Sequence, residues 1–136
     1  MKTRKTIPTA IAAAVFCLAA VAPFAGAEQA PRIVELTATR DNQFKLAGGK
    51  KGPLVLKAGE RVTFKVTASA GSAKGKDGSV HSFVVRALKA QGWDVRLKEG
   101  VQEFTLTAPP AGEYTIECTV YCGEGHDDMK LKMKVE

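Results

Sequence analysis

From Arg61 to Thr67 the chain alternates, with Val62, Phe64 and Val66 on one side and Arg61, Thr63 and Lys65 on the other. Met129 to Val135 repeats the pattern, setting Met129, Leu131, Met133 and Val135 against Lys130, Lys132 and Lys134. A period of two is that of a half-buried strand, whose successive side chains leave on opposite faces. Shorter runs of the same character predict strands over 33–39, 54–57, 81–86, 101–107 and 113–118. Turn-forming residues separate them: Gly48-Gly49, Gly52-Pro53, Gly59, Gly100 and Pro109-Pro110. No segment sustains a helical period. About seven to eight short strands in roughly a hundred residues predict an all-β sandwich with Greek-key connections. The stretch 69–79, rich in Gly, Ser and Lys, reads as a solvated surface loop and not as a binding element. There is no internal repeat and no second domain.

The N-terminus follows a different rule. Lys2, Arg4 and Lys5 precede an apolar run from Ile11 to Val21, and Ala25-Gly26-Ala27 closes it with small residues. That is the arrangement of a cleavable secretory signal over 1–27, with the mature domain at 28–136. The run is short for a membrane span, and Pro8 and Pro23 bracket it. Cys17 does not fit a lipid-attachment site, because Phe16 stands where a small residue is wanted. No twin-arginine pair precedes the apolar run, so the chain is expected to cross unfolded, metal being added afterwards in the periplasm or outside the cell. Without its first 27 of 136 residues the chain keeps 109, and net charge falls from +6 to +3. No membrane span remains. No basic run with interleaved aromatics is left either, which removes nucleic acid as a partner class.

Chemistry concentrates near the C-terminus. Cys118, Cys122, His126 and Met129 place two thiols, an imidazole and a thioether within twelve residues. These are soft or borderline donors, suited to copper and not to magnesium or calcium. Tyr114, Ile116 and Cys118 share one strand face, so Cys118 points into the sandwich where the other two pack. Residues 119–128 must then fold over one end, carrying Cys122 and His126, with Gly123 and Gly125 giving the backbone room to turn. His81, at the start of an apolar strand, can reach the same end, and it and His126 are the chain's two histidines.

The segment resembles the CuA domains of cytochrome oxidase subunit II and nitrous oxide reductase, within the cupredoxins. Gly112, Tyr114, Cys118, Cys122, His126 and Met129 stand in the register of that pattern, preceded by His81-Ser82-Phe83. The resemblance implies a cupredoxin-like fold and two copper ions bridged by the Cys118 and Cys122 thiolates. It implies His81 and a weak axial Met129 on one ion, and His126 with the Val120 backbone carbonyl on the other. It further implies one-electron transfer between redox partners, not enzymatic catalysis. Oxidase subunits commonly carry glutamate where this chain has Val120, and usually a membrane hairpin as well. Their absence points to a free-standing relative.

Three other readings stay open on the residues alone. One is a mononuclear type 1 copper site of His81, one cysteine, His126 and Met129. Another is a copper carrier or metallation factor. The third is a metal-free sandwich with a Cys118–Cys122 disulfide. Tyr121 and Trp93 are aromatic candidates for a surface near the site, with rim or core packing the competing account of each. Glu124, Asp127 and Asp128 place negative charge on the loop, matching a basic redox partner such as a lysine-ringed c-type cytochrome.

Overall fold

The computed structural model describes residues 29–136, so the expected signal over 1–27, with its Cys17, lies outside the described residues. Nine strands follow in order: β1 (Arg32–Ala38), β2 (Phe44–Leu46), β3 (Leu54–Leu56), β4 (Arg61–Ala68) and β5 (His81–Val84), then β6 (Asp94–Leu97), β7 (Gly100–Thr107), β8 (Gly112–Glu117) and β9 (Lys130–Val135). They form one sheet in the order β2-β1-β4-β7 and a second in the order β3-β9-β8-β5-β6. Because the chain repeatedly changes sheet, β1 pairs in parallel with β4, and β3 with β9, while the other pairs are antiparallel.

The alternating residues form the core. Val62, Phe64, Val66 and Ala68 of β4 and Leu131, Met133 and Val135 of β9 are buried, while their alternates are half-buried or exposed. Between the sheets Phe64 contacts Phe83, Trp93 and Phe104, with ring centroids 4.9, 5.8 and 5.7 Å away. Trp93 is buried in this cluster, and its indole N–H donates to the Thr107 carbonyl at 3.1 Å. It is therefore a core residue and no part of a surface beside the metal loop.

Two strands escape sequence periodicity. β2 has three residues, too few to show a period, and β6 has a single buried position, Leu97. The expected strand over 81–86 ends at Val84, where the chain enters a 3-10 turn over Arg86–Gln91. Among the described residues no helix is long and apolar enough to cross a membrane.

The aromatic cluster holds the two sheets in register, so Phe64→Ala is expected to lower unfolding free energy by about 3–5 kcal/mol. Urea denaturation checks this, and an unchanged slope would show that the loss is of packing alone.

Candidate metal centre

Each ligand candidate sits at one end of the second sheet, and local backbone explains why. Cys118 follows the last residue of β8 and Met129 precedes the first of β9. The Cys118 N–H donates to the Met129 carbonyl at 3.2 Å, extending the β8–β9 ladder by one bond. Sulfur donors eleven residues apart in sequence thus become cross-strand neighbours. His81 opens β5, which pairs with β8 at one position, Val84 with Glu117. Nearer the site a side chain takes over from that ladder. The Ser82 hydroxyl accepts the Thr119 N–H at 2.7 Å and lies 3.0 Å from the Thr119 hydroxyl.

The loop 119–128 closes over this end. Gly123 and Gly125 have φ of +113° and +82°, a left-handed backbone that glycine adopts without strain. Gly125 leads into a 3-10 turn, His126–Asp128, which delivers the chain to Met129. Cys118, Val120, Cys122, Met129 and His81 are all buried, while His126 is half-buried.

Both thiols are free, with sulfurs 3.8 Å apart. A ring nitrogen of His81 and the two sulfurs lie within 4.8 Å of one another. Cys118 Sγ is 3.1 Å from the Val120 carbonyl. Cys122 Sγ is 3.4 Å from His126 Nδ1 and 4.0 Å from Met129 Sδ. All six sequence-predicted positions therefore meet.

The donor set fits a thiophilic metal on a specific observation. His81 Nε2–H donates to the Ser69 carbonyl at 2.8 Å, which fixes the tautomer and leaves Nδ1 as an acceptor. That Nδ1 is buried without a hydrogen-bond partner, a costly state that coordination would relieve. The sulfur separation agrees, since two sulfurs each about 2.3 Å from one ion can stand up to roughly 4.6 Å apart.

The thiols are electrostatically unlike. Burial opposes ionisation of Cys118, but the neighbouring His81 ring, hydrogen bonds with the Ser82 and Val120 backbone, and Cys122 outweigh it and lower the thiol from 9.0 to about 6. Burial, followed by the charge on Cys118, pushes Cys122 up to about 12.

Residues 69–79 differ from the solvated loop expected of them. Ser69 orients His81, the Ala73 N–H donates to the Cys122 carbonyl at 3.3 Å, and Gly75 packs close to the Val120 side chain. Asn42, which carried no sequence signal beyond its place in a polar turn, donates its side-chain amide to the Glu124 carbonyl and, at 3.4 Å, to that of Cys122. Outside the buried cluster, Tyr121 is 67% exposed, its ring 5.6 Å from that of His126. Glu124, Asp127 and Asp128 are exposed on the same loop.

No protein-family model matches the chain, and no curated protein matches it. Solved structures do. A chain of a heme-copper terminal oxidase dimer is 20% identical, over 96% of this chain and 79% of that one, with a TM-score of 0.57. The periplasmic domain of subunit II of cytochrome oxidase from Bradyrhizobium japonicum is 16% identical, over 79% and 86%, with a TM-score of 0.54. Auracyanin A, a blue copper protein of Chloroflexus aurantiacus, is 19% identical, over 79% and 100%, with a TM-score of 0.52. The two-sheet sandwich is the cupredoxin fold.

The unlike thiols generate a pH dependence in the metal-free, reduced protein. Cys118, lowered in the fold, contributes stability that is present above the unfolded value of 9.0 and lost as pH falls through about 6. Cys122, raised in the fold, acts oppositely above 9.0, where the unfolded chain ionises first. Urea midpoints are expected to climb from about pH 6 to 9 and then fall. Cys118→Ser should abolish the climb.

Proposed function

We propose that the chain is an exported copper protein that holds a binuclear CuA-type centre and passes single electrons between redox proteins. The observation that carries this reading is the pair of buried free thiols 3.8 Å apart beside the unpartnered Nδ1 of His81. The cupredoxin fold, shared with an oxidase subunit II domain and a blue copper protein, supports it.

In this reading the Cys118 and Cys122 thiolates would hold two copper ions between them. His81 and Met129 would complete one, and His126 with the Val120 carbonyl the other. Copper held there supplies a reversible one-electron couple shared over two metals. The protein's part is to keep the donors still and dry. Cys122, Met129 and His81 are 0% exposed, so ligands and solvent reorganise little when charge changes. The Ser69 carbonyl fixes the His81 ring, and the Ser82 hydroxyl holds the backbone next to Cys118. Two observations favour two ions over one. The compact cluster comprises His81 with both sulfurs, while His126 approaches through Cys122. A single type 1 ion needs both histidines and leaves one buried thiol unused.

The exposed partner surface is the loop itself. Half-buried His126 and exposed Tyr121 offer the shortest way out of the cluster, and Glu124, Asp127 and Asp128 surround it with negative charge. A basic redox protein such as a c-type cytochrome suits that charge. Residues 1–27 act as a secretory signal, and 28–136 form the working domain. The neighbouring oxidase domain is periplasmic, which agrees with export.

Mononuclear blue copper is the second reading, favoured by the likeness to auracyanin A. Copper titration of the reduced chain from Glu28 separates the two. Two ions per chain, a purple colour and a seven-line EPR hyperfine pattern are expected from one electron shared by two equivalent nuclei. One ion with an intense blue band and four lines would install the mononuclear site. Weakly held, colourless Cu(I) that a chelator strips readily would make the protein a carrier.

Electron exchange with a lysine-ringed c-type cytochrome is expected to slow as ionic strength rises, because surface charges are screened within about 8 Å at physiological salt. Stopped-flow rates that ignore salt would remove the acidic loop from partner recognition.

A further inference from the structure

We infer that Asn42 is a positioning residue for the metal loop, holding the Cys122 main chain in place from the opposite sheet. The inference rests on the metal-centre reading in assigning the held cysteine a ligand's role.

Asn42 lies in the turn between β1 and β2, with φ of +58° and 3% exposure. The turn is itself locked: Thr39 N–H donates to the Gln43 carbonyl at 2.8 Å, and Asn42 N–H to the Thr39 carbonyl at 3.0 Å. A buried amide is thereby fixed and aimed at a loop some eighty residues later. Its Nδ2 donates to the carbonyls of Glu124 and Cys122, one residue to either side of Gly123. Carbonyls inside an irregular loop have no ladder partner, so a side-chain donor supplies the bonds that a strand would have given.

The third wall of the contact comes from the loop after β4. The Cys122 carbonyl takes a second donor, Ala73 N–H, at 3.3 Å. Beside it Gly71 packs against the same carbonyl: a Cβ there would collide with the Cys122 carbonyl oxygen and stand 2.7 Å from Asn42 Oδ1. Asn42, Gly71 and Cys122 therefore meet with no room for another methyl group. Asn42 Oδ1 is buried without a partner. Turn propensity does not account for an amide left half-satisfied in this way, because Gly adopts the same backbone with nothing to bury. The donor half is what the loop uses.

The consequence is directional. Cys122 sits at the middle of the loop, away from both strand ends that anchor Cys118 and Met129. Nothing in the β8–β9 ladder reaches it. Its sulfur stands 3.8 Å from Cys118, 3.4 Å from His126 and 4.0 Å from Met129 only while its backbone is held from behind. Groups that orient ligands in this way set metal affinity without touching the metal.

The test uses Asn42→Gly, which keeps the left-handed backbone, and Asn42→Asp, which keeps the outline but removes the donor. Gly71→Ala keeps Asn42 and pushes on the same carbonyl. In metal-free, reduced protein, the rate at which an aromatic disulfide reagent captures the thiols is expected to rise roughly tenfold in each variant, as a locally held loop opens more often. Copper affinity, measured by chelator competition, is expected to fall by 10–100-fold, the range for lost outer-shell partners. Wild-type thiol capture in all three, with only the urea midpoint lowered, would overturn the inference and leave Asn42 a turn residue. Should the wild type bind no copper, the metal reading fails, while the thiol comparison still decides whether the clamp exists.

Discussion

The structure depends on keeping two sulfurs and an imidazole nitrogen buried, close together and apart at once. At 3.8 Å the thiols are near enough to share a metal and are not bonded to one another. Buried polar groups without water need partners, and here the His81 Nδ1 has none within the protein. The cluster is therefore stabilised by its surroundings and not by itself. Those surroundings are supplied separately for each donor. Cys118 and Met129 are tied by one extended ladder bond, His81 by the Ser69 carbonyl, and Cys122 by the Asn42 and Ala73 donors.

This division explains the architecture around the site. β5 is buried along its whole length, and it carries His81, Ser82 and Phe83 in succession. The first orients toward the thiols, the second closes the gap to Thr119, and the third packs into the aromatic cluster. Displacing the core would therefore displace these candidate ligands. Val120 has a similar double use. Its carbonyl faces Cys118 while its side chain is buried close to Gly75, so the residue between the cysteines seals the site with an apolar group.

Charge is arranged on a longer scale. The loop over the cluster exposes Glu124, Asp127 and Asp128, whereas β9 leading away from it exposes Lys130, Lys132 and Lys134. The lysines face Glu117, Thr115 and Glu113 across the β8–β9 ladder, which tempers the basic stripe. The acidic residues lie at the outer end of the sandwich beside Tyr121 and His126. Arg40 and Asp41 of the β1–β2 turn line the same hollow as Glu124, so the charge at this end comes from that turn as well as from the loop.

Much of this was written locally. The alternation in 61–67 and 129–135 specifies β4 and β9 because a strand's period appears within one segment. The spacing of Cys118, Cys122, His126 and Met129 specifies one loop between two strands for the same reason, and His81 at a strand start follows from its apolar successors. What local pattern could not carry were relations between distant segments. Nothing near Asn42 announces that its amide will meet Cys122, and nothing in the composition of 69–79 distinguishes a solvated loop from one that orients His81. Trp93 was ambiguous because an aromatic side chain satisfies either a rim or a core, and only the Phe64–Phe83 contacts decide for the core. The sequence by itself determined which atoms are available to bind metal and on which elements they ride. The tertiary structure decided which of them are held still, because holding a loop requires donors from chain that is close in space and remote in sequence.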